Sequence, residues 1–479
     1  MNENISWTNR DVLAATQGQF LFGGREETFS GIAIDSRTIQ PGQLFVAIRG
    51  RSHDGHLFIE KAVKSGARGL LVERDFAEEA RDFLERIDAS CIAVDDTVRA
   101  LGRLGRYRRR LMGLPVVAIT GTNGKTTTKE MVAGVLAGKY RALATAGNYN
   151  NEIGVPLTLL RLEKKHQVAV LELGMNAPGE IDRLARICEP DVGLVLNVGA
   201  GHLAGLGDID GVAAAKSELV TALGEKAVAL LNADDPRVLA MAQKTAARVV
   251  TWGTGADADI RAVRVKKTAR GTNLDIAFFG EQPTLNVQIC CRGSHLVANA
   301  LAAAAVGHVL DVPAAAVKAG LETFVPVAGR LVTTETAAGF VIMDDTYNAN
   351  PGSSVVAIDE LAEAAVPGRR IMVFGDMYEL GRGAREMHRQ IGRRAAERGV
   401  DKIFAVGEFA GAVAEGALAG GMPPADIFLG DKAEINGRLL DMVGAGDRVL
   451  VKGSRGMAME TIVAALMRQG QQAVTTEKG

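Results

Sequence analysis

The sequence predicts an α/β protein with three domains, and three observations support this prediction. The chain has 479 residues, which is too many for one ordinary core, so two to four domains are expected. Short apolar runs alternate with helical patterns in its first and last parts. In the middle part, near-continuous apolar runs are typical of a parallel sheet that is covered on both faces. We expect the domains to cover residues 1–112, 113–326 and 327–479.

Composition and charge narrow the class of protein. Hydrophobic residues make up 47% of the chain and charged residues 23%, as in ordinary globular proteins. A net charge of −1 argues against a nucleic-acid-binding surface as the main function. No apolar run reaches the length of a membrane span, and the N-terminus has no signal-peptide pattern. We therefore expect a cytoplasmic protein, and a monomer that binds no nucleic acid and does not span a membrane.

The four cysteines show no metal-ligand spacing. They are Cys91, Cys188, Cys290 and Cys291. Two of them are adjacent, in apolar text that is typical of a strand. We therefore expect buried free thiols in a reducing compartment rather than disulfides.

The first predicted domain is a small α/β unit. Its predicted strands lie at 42–48, 69–72 and 91–94, and its predicted helices at 55–66 and 76–87. Two polar islands, 35–37 and 52–56, are turns or binding loops, and both interpretations stay open because Asp, Ser and Gly are common in any turn. The arginine-rich run 103–110 is expected to form the solvated face of a helix.

The central prediction is a loop that binds phosphate. A buried strand at 114–120 precedes a glycine-flanked loop, and a helix follows. Glycines let backbone N–H groups turn toward an anion, and the helix N-terminus adds unpaired donors. The general pattern G-x-x-x-x-G-K-[ST] has a glycine where Ile119 stands, so a glycine-rich turn with a solvated lysine is the alternative. The candidate nucleotide ligands in this phosphate loop are Gly121, Thr122, Asn123, Gly124, Lys125, Thr126 and Thr127.

Further polar residues follow other strands of the same predicted sheet. Glu172 ends a strand at 167–171, and His202 follows a strand at 191–197. Because ligands bind beyond the carboxyl ends of parallel strands, these side chains are expected to meet the phosphate loop. A carboxylate at the position of Glu172 can hold Mg2+ beside the phosphates. After this sheet, residues 238–292 predict an antiparallel addition, and 296–310 a helix.

Two positions, those of His202 and Lys216, can also be interpreted without a catalytic role. The loop that holds His202 fits G-x-G-x-x-A, a weak dinucleotide pattern, and a lone histidine in a glycine-rich loop is more often structural. Lys216, in an Ala-Ala-Ala-Lys stretch, is an ordinary solvated helix lysine on local grounds.

The last third predicts a second, smaller doubly wound domain of Rossmann-like type. Its predicted strands are 340–344, 371–374, 402–406 and 448–451. Polar residues follow three of these strands, at Asp345, Asp376 and Lys452. The edge that carries them could face the central domain.

Together, the phosphate loop, Glu172, the Gly-His loop and Ala-Ala-Lys216 resemble the Mur ligases, which are ATP-dependent amide-forming enzymes of peptidoglycan synthesis. The resemblance covers nearly the whole chain. Residues 35–37, with 41–47 and 54–56, are similar to the UDP-binding domain of the later ligases in this family.

Three further stretches resemble one member of the family, which adds D-alanyl-D-alanine to UDP-N-acetylmuramoyl-tripeptide. They are 148–154, 345–351 and 375–381. The Mur ligase that acts before this member typically carries an Asp-Asn-Pro-Arg motif for its diamino acid, and that motif is absent from this sequence. A related ligase with another amine acceptor, of Mur or folylpolyglutamate type, and a nucleotide-gated binding protein without chemistry remain as alternatives.

The resemblance also implies roles for single residues. Lys125, Glu172, His202 and Lys216 would be catalytic. Thr126 and Glu172 would hold one Mg2+, and His202 would hold a second together with Lys216, carried as a CO2-derived carbamate. Further ATP contacts would be Asn299, Arg330 and Asp345, and substrate contacts would be Ser36, Arg37, Asn148, Asn151 and Asn350. The family's His-Asn-x-x-Asn helix start differs here, because Leu296 replaces the first Asn.

Overall fold

The computed structural model describes residues 6–50, 53–268, 271–279, 283–290, 293–363 and 366–476. Three large sheets, each covered by helices, form an N-terminal, a central and a C-terminal unit. The predicted α/β fold class is confirmed. Within the described residues, no helix combines the length and apolar character that a bilayer crossing requires.

The N-terminal unit contains a five-stranded sheet in the order β2-β7-β6-β5-β4, with β2 antiparallel and the rest parallel. Strands β1 and β3 form a separate antiparallel pair. The strands are β1 (Trp7–Thr8), β2 (Gln19–Phe22), β3 (Thr28–Phe29), β4 (Ile32–Ala33), β5 (Leu44–Val46), β6 (Gly69–Glu73) and β7 (Ser90–Val94). The helices are α1 (Asn9–Thr16), α2 (Ile59–Lys64), α3 (Arg74–Glu79), α4 (Arg81–Leu84) and α5 (Thr97–Met112), with a 3-10 turn at Gly55–Phe58.

Helix α5 joins this unit to the next one. The Asp96 side chain accepts a hydrogen bond from the backbone N–H of Arg99 and so caps its start. Gly113, at φ 61°, ends the helix in the left-handed conformation that glycine adopts at low cost.

The central unit contains a nine-stranded sheet in the order β16-β15-β14-β13-β12-β11-β8-β10-β9. Its strands are β8 (Val116–Thr120), β9 (Ala142–Ala144), β10 (Val168–Glu172), β11 (Val192–Val195), β12 (Val228–Asn232), β13 (Arg248–Gly253), β14 (Ile260–Thr268), β15 (Gly271–Phe278) and β16 (Leu285–Ile289). Its helices are α6 (Lys125–Leu136), α7 (Gly154–Leu160), α8 (Glu180–Cys188), α9 (Leu203–Leu206), α10 (Ile209–Thr221), α11 (Pro236–Leu239), α12 (Ser294–Val309) and α13 (Ala314–Glu322), with a 3-10 turn at Ala240–Lys244.

The central sheet is buried on both faces. Val117 and Ile119 of β8 pack into one apolar cluster with α6 and α12. Val116 and Ala118 face a second cluster with α8 and α10. Strands β8 to β13 pair in parallel, and β14 also runs parallel to β13, whereas β14, β15 and β16 pair antiparallel with one another. The antiparallel addition predicted at 238–292 is therefore confirmed from β14 onward and wrong for β13.

The C-terminal unit contains a six-stranded sheet in the order β17-β18-β22-β19-β20-β21, parallel except for the edge strand β17. Its strands are β17 (Val332–Glu335), β18 (Val341–Asp345), β19 (Arg370–Gly375), β20 (Lys402–Val406), β21 (Ile427–Leu429) and β22 (Arg448–Lys452). Its helices are α14 (Pro351–Glu363), α15 (Ala384–Glu397), α16 (Ala410–Ala419), α17 (Lys432–Met442) and α18 (Glu460–Thr476), with 3-10 turns at Gly381–Gly383, Pro424–Asp426 and Arg455–Met457.

The arginine-rich run lies on α5 as predicted, but only part of it is solvated: Arg103 and Arg110 are exposed, whereas Arg108 is buried. Arg106 and Arg110 each contact Glu189 Oε1 at 2.6 Å. Arg109 donates to Asp191 Oδ2 at 2.9 Å and to the carbonyl oxygen of Glu189 at 2.9 Å. These contacts, which we call the arginine clasp, fasten the N-terminal unit to the central unit. Their partners lie far along the chain, so the local charge pattern could not indicate them.

The prediction for the cysteines is confirmed for two of them and wrong for a third. Cys91 and Cys188 are buried free thiols, and burial raises the pKa of each to about 12. Cys290 is exposed, because it follows the last residue of the edge strand β16. Cys291 lies outside the described residues.

Candidate active site

The phosphate loop connects the buried strand β8 to helix α6, as the sequence predicts. Gly121 has a φ of +157° and Gly124 a φ of +83°, both in the region that favours glycine. A Cβ atom on Gly124 would lie 2.6 Å from Oδ1 of Asn299, which is 5% exposed. The candidate Asn299 therefore packs directly against the loop, although it comes from the distant helix α12.

Lys125 and Thr126 begin α6 and point to different partners. Lys125 Nζ donates to the carbonyl oxygen of Gly121 at 2.8 Å, so the ammonium lies across the loop. Burial lowers the pKa of Lys125, and the nearby Glu172 carboxylate opposes that shift. The Thr126 hydroxyl donates to Glu172 Oε2 at 2.9 Å. Thr127, the next residue, is also buried. The sequence-predicted loop and Glu172 are therefore together.

Glu172 is held at the carboxyl end of β10, where it is 3% exposed. Its Oε1 accepts a hydrogen bond from Asn150 Nδ2 at 2.9 Å, and its backbone N–H donates to Thr145 Oγ1 at 3.1 Å. Two polar contacts and the strand thus fix the direction of the carboxylate. A hydroxyl and a carboxylate so arranged are hard oxygen donors, which suit Mg2+.

Asn197 braces the phosphate loop, and the sequence analysis did not single it out. Its Oδ1 accepts from the backbone N–H of Asn123 at 2.9 Å, and its Nδ2 donates to the Asn123 carbonyl at 3.1 Å. Thr122 is held similarly, because its hydroxyl accepts from Gly199 N–H at 2.9 Å. The available signal was the position of Asn197, directly after a parallel strand at the functional edge.

Lys216 is buried in α10 at 2% exposure, so the interpretation as a solvated helix lysine is wrong. Burial, with repulsion from the Lys125 ammonium, lowers its pKa well below the ordinary lysine value. In the part of the chain that the structure describes, no side chain forms an ion pair or hydrogen bond with its Nζ. A lysine in such surroundings is neutral at ordinary pH far more readily than an exposed one.

His202 lies at the start of α9 with a φ of +56°. Its Nδ1 lies 2.6 Å from Oε2 of Glu379, which belongs to the C-terminal unit. This contact lowers the pKa of Glu379. The Gly-His loop therefore faces the unit that the sequence predicts to lie opposite, but the partner Glu379 was not among the predicted site residues.

The C-terminal unit contributes two more predicted residues to the loop. Arg330 Nη2 donates to Thr126 Oγ1 at 3.0 Å, and its guanidinium lies 3.9 Å from the ring centroid of Tyr347. Asn350 Nδ2 donates to Asn123 Oδ1 at 2.6 Å. These contacts bring residues from more than 200 positions away onto the phosphate loop.

The candidate Asp345 is paired within the C-terminal sheet rather than with the loop. Its carboxylate accepts from the buried Lys452, whose ammonium also donates to the Asn348 carbonyl at 3.0 Å. It also faces His295, the first residue of the altered helix start, whose pKa burial lowers to about 4.

The substrate candidates Ser36 and Arg37 form a turn in the N-terminal unit, as the simpler interpretation predicts. Arg37 is exposed and pairs with Asp35 at 2.7 Å, which lowers the pKa of Asp35 to about 2. Ser36 is buried. No contact among the described ranges joins this turn to the phosphate loop, so the structure leaves a binding role for the pair as a hypothesis.

Asn148 and Asn151 lie in the exposed segment before α7. Asn151 Oδ1 accepts from the backbone N–H of Gly154, the first residue of that helix, at 2.8 Å. A cleft of about 460 Å³ opens nearby, at the junction of the N-terminal and central units, with Trp7, Arg108 and Tyr149 in its lining. The phosphate loop is not part of that lining.

A phosphate site of this kind implies a bound Mg2+, so the side chains beside the phosphate loop should match the ligands that this ion needs. Among the described residues, no three His, Cys, Asp or Glu side chains form a cage for a metal ion. Mg2+ does not need one, because it binds through one or two carboxylates together with substrate phosphates and water. The pair of Thr126 and Glu172 beside the phosphate loop fits that donor set.

Comparison with known proteins agrees with this geometry. Three family models match the chain: Mur ligase family, catalytic domain, at residues 28–109; Mur ligase middle domain, at 119–307; and Mur ligase, glutamate ligase domain, at 329–455. The UDP-N-acetylmuramoyl-tripeptide–D-alanyl-D-alanine ligase of Escherichia coli (strain K12) is 38% identical over 93% of this chain and 96% of its own.

Two solved structures give the same result. The crystal structure of MurF from Acinetobacter baumannii matches with a TM-score of 0.88 and 34% identity, over 97% of this chain and all of that one. MurF ligase from Thermotoga maritima, crystallised in complex with ADP, matches with a TM-score of 0.79 and 28% identity, over 92% and 97% of the two chains. These matches cover nearly the whole chain, and they agree with the phosphate loop that the structure shows. The chain therefore belongs to the Mur ligase family.

Proposed function

We propose that this chain joins D-alanyl-D-alanine to UDP-N-acetylmuramoyl-tripeptide and converts ATP to ADP and phosphate. The observation that carries the proposal is the arrangement of Lys125, Thr126 and Glu172 at one sheet edge, with Lys216 buried nearby. The likeness to enzymes of that name along nearly the whole chain supports it. ATP use is further supported by the ADP complex of a relative.

The reaction has two steps. The free carboxylate of the tripeptide attacks the γ-phosphorus of ATP, the bond to the bridging oxygen breaks, and an acyl phosphate and ADP result. The amine of D-alanyl-D-alanine then attacks the acyl carbon, loses a proton, and expels phosphate from a tetrahedral intermediate. Lys125 and the N–H groups of the loop stabilise the charge on the transferring phosphoryl group, which is mainly electrostatic and positioning work.

Mg2+ would be held at this edge by Thr126 and Glu172, and when bound it neutralises charge on the phosphates. We propose that Lys216 carries a carbamate formed with CO2, and that it holds a second Mg2+ together with His202. The lowered pKa of Lys216 supports this, because only the neutral amine reacts with CO2. A carbamate would also place an anion beside the Lys125 ammonium.

Closure of the C-terminal unit is the third part of the proposal. Arg330 and Asn350 reach the phosphate loop from that unit. Their contacts would exclude water that could hydrolyse the acyl phosphate. Asp345 and Asn299 would contact the nucleotide, and Ser36, Arg37, Asn148 and Asn151 the substrate.

The proposal also covers the localisation, the oligomeric state and the domain limits of the protein. We propose a cytoplasmic monomer that consists of a UDP-binding domain at 1–112, an ATP-binding domain at 113–326 and a Rossmann-like domain at 327–479. The three separate sheets are consistent with these limits.

A phosphate-release assay tests the function. With ATP, Mg2+ and UDP-N-acetylmuramoyl-tripeptide, we expect release to depend on D-alanyl-D-alanine, and mass spectrometry to show the pentapeptide product. Equal activity with a diamino acid and a shorter substrate would indicate the preceding Mur ligase instead. Activity with folate and glutamate would indicate a folylpolyglutamate ligase, and nucleotide binding without turnover a binding protein.

A further inference from the structure

Two left-handed residues face each other between the central and C-terminal units. His202 has a φ of +56° and Glu379 a φ of +63°, and neither is glycine. Such backbone conformations persist only where the surroundings enforce them, and they concentrate at functional sites. Here one lies beside the proposed active site and the other in the unit that would close on it.

The contact between the two segments involves backbone as well as side chains. Nδ1 of His202 lies 2.6 Å from Glu379 Oε2. The backbone N–H of Ala204 donates to the Glu379 carbonyl at 3.0 Å. At Gly381, an added Cβ would lie 3.5 Å from the Cα of Ala204. Three adjacent contacts thus seat the segment 379–381 on 202–204 and hold the carboxylate beside Nδ1 of the imidazole.

The Glu379 carboxylate has no competing cation. Within the ranges that the structure describes, no lysine or arginine pairs with it, and it contacts the imidazole of His202. A carboxylate at Nδ1 favours the tautomer that carries its proton on Nδ1. The lone pair then lies on Nε2, the nitrogen that remains available to a metal ion.

We propose that Glu379 is a positioning residue for His202, and that closure of the C-terminal unit delivers it. This inference rests on the proposed function, in which His202 holds a metal ion. Closure then has a chemical consequence at the metal site: it orients the imidazole and raises its basicity as a ligand. Metal affinity and domain closure are coupled through one side chain.

Metal binding without turnover tests the proposal. Mn2+ is titrated into the protein with a non-hydrolysable ATP analogue and followed by electron paramagnetic resonance. In Glu379→Gln, which keeps the shape but loses the charge, we expect Mn2+ affinity at one site to fall roughly 10-fold. Glu408→Gln, an exposed carboxylate of the same unit, is the matched control and should match the wild type.

Kinetics add a measurement that a purely structural clamp would not change in the same way. In Glu379→Gln, kcat at low Mg2+ should fall about 10-fold, with KM for ATP nearly unchanged, and added Mg2+ should restore it. Glu379→Asp, which keeps the charge, should restore part of the affinity. Unchanged Mn2+ affinity in Glu379→Gln, or a loss of kcat that Mg2+ cannot restore, would overturn the proposal.

A third measurement needs no metal. In metal-free protein labelled with 15N-histidine, and with His202→Gln used for assignment, we expect His202 to carry its proton on Nδ1. In Glu379→Gln the tautomers should mix, and an unchanged spectrum would contradict the proposal. Failure of the proposed function is a separate outcome: it would appear as a wild type that does not use the tripeptide, while the Mn2+ and tautomer results stand by themselves.

Discussion

The two sides of the candidate active site are built differently. On the central side, Thr126, Glu172 and Lys216 are almost fully buried, and strand β10 and the helices α6 and α10 fix their positions. On the C-terminal side, Arg330 is only partly buried and Glu379 is exposed. The central unit alone therefore holds these residues of the candidate nucleotide site in place, whereas the remaining contacts depend on where a second unit lies.

The two sides therefore have different roles in the proposed reaction. The preformed side has to hold charged phosphates with groups that do not move, which preorganises the electrostatics before reaction. In the proposed reaction, the C-terminal side moves away so that substrates can enter, which calls for few contacts of modest strength. Changes on the central side should therefore abolish chemistry, and changes on the other side should weaken nucleotide binding or closure.

The largest effect is expected for Lys125→Met. It removes the cation that lies across the phosphate loop, and kcat/KM for phosphate release should fall about 10³-fold. Steady-state phosphate release measures this, with Lys164→Met, an exposed lysine of the same unit, as the control. A variant within a few-fold of the wild type would mean that the preformed side is not the phosphate site.

Lys216→Ala should follow, with a loss on the order of 10²-fold in kcat. If the lysine acts as a carbamate, added acetate or formate should restore part of the activity, because a short carboxylate supplies the same anionic oxygens. Wild-type turnover would show that Lys216 has no role in catalysis. Loss of activity without any rescue would reject the carbamate.

His295→Gln tests how deeply His295 is buried between the two sides, through the pH dependence of the free energy of unfolding. Burial lowers the pKa of His295 to about 4, and the carboxylate of Asp345 opposes that shift. Between pH 6.5 and 4 the unfolded chain therefore takes up a proton that the folded chain does not, so the free energy of unfolding falls as pH falls. At pH 4.5 this loss is roughly 2 kcal/mol.

The variant should lack this part of the acid sensitivity. Urea denaturation of both proteins at pH 7 and pH 4.5 measures the difference between them. Equal slopes with pH in the two proteins would show that His295 stays accessible to protons in the fold.

The smallest of these effects is expected for Arg330→Lys. Lysine keeps the charge but loses the planar group that lies over Tyr347 and donates to Thr126. KM for ATP should rise roughly 10-fold, which corresponds to about 1.4 kcal/mol, while kcat changes less. Arg382→Lys, at an exposed position of the C-terminal unit, is the control, and a fall in kcat without a change in KM would contradict a role in binding.

The preformed side could be predicted from the sequence because its signals are local. The strand, the glycines and the helix start lie within 15 consecutive positions at 114–128, and Glu172 ends an obvious apolar strand. Lys216 has no such signal, since burial depends on how α10 packs. Only the family resemblance singled it out.

The C-terminal side was less predictable, because it consists of contacts between distant segments. Glu379 lies in a stretch that the resemblance marked, yet nothing local pairs it with His202. The error on the arginine run has the same cause: Glu189 and Asp191 follow α5 by about 80 positions. Charge patterns describe a segment, whereas ion pairs depend on what the fold places beside it.

The arginine clasp has a mechanical consequence. It fastens the N-terminal unit to the central one through several charged contacts, while residues 323–331 leave the C-terminal unit joined by an irregular connection. We therefore expect the N-terminal and central units to tumble in solution as one piece and the C-terminal unit as another. We also expect proteases to cut the chain between these two pieces. If the C-terminal unit closes as proposed, a small molecule that holds the connection 323–331 in an open position should block the reaction without contacting nucleotide or sugar.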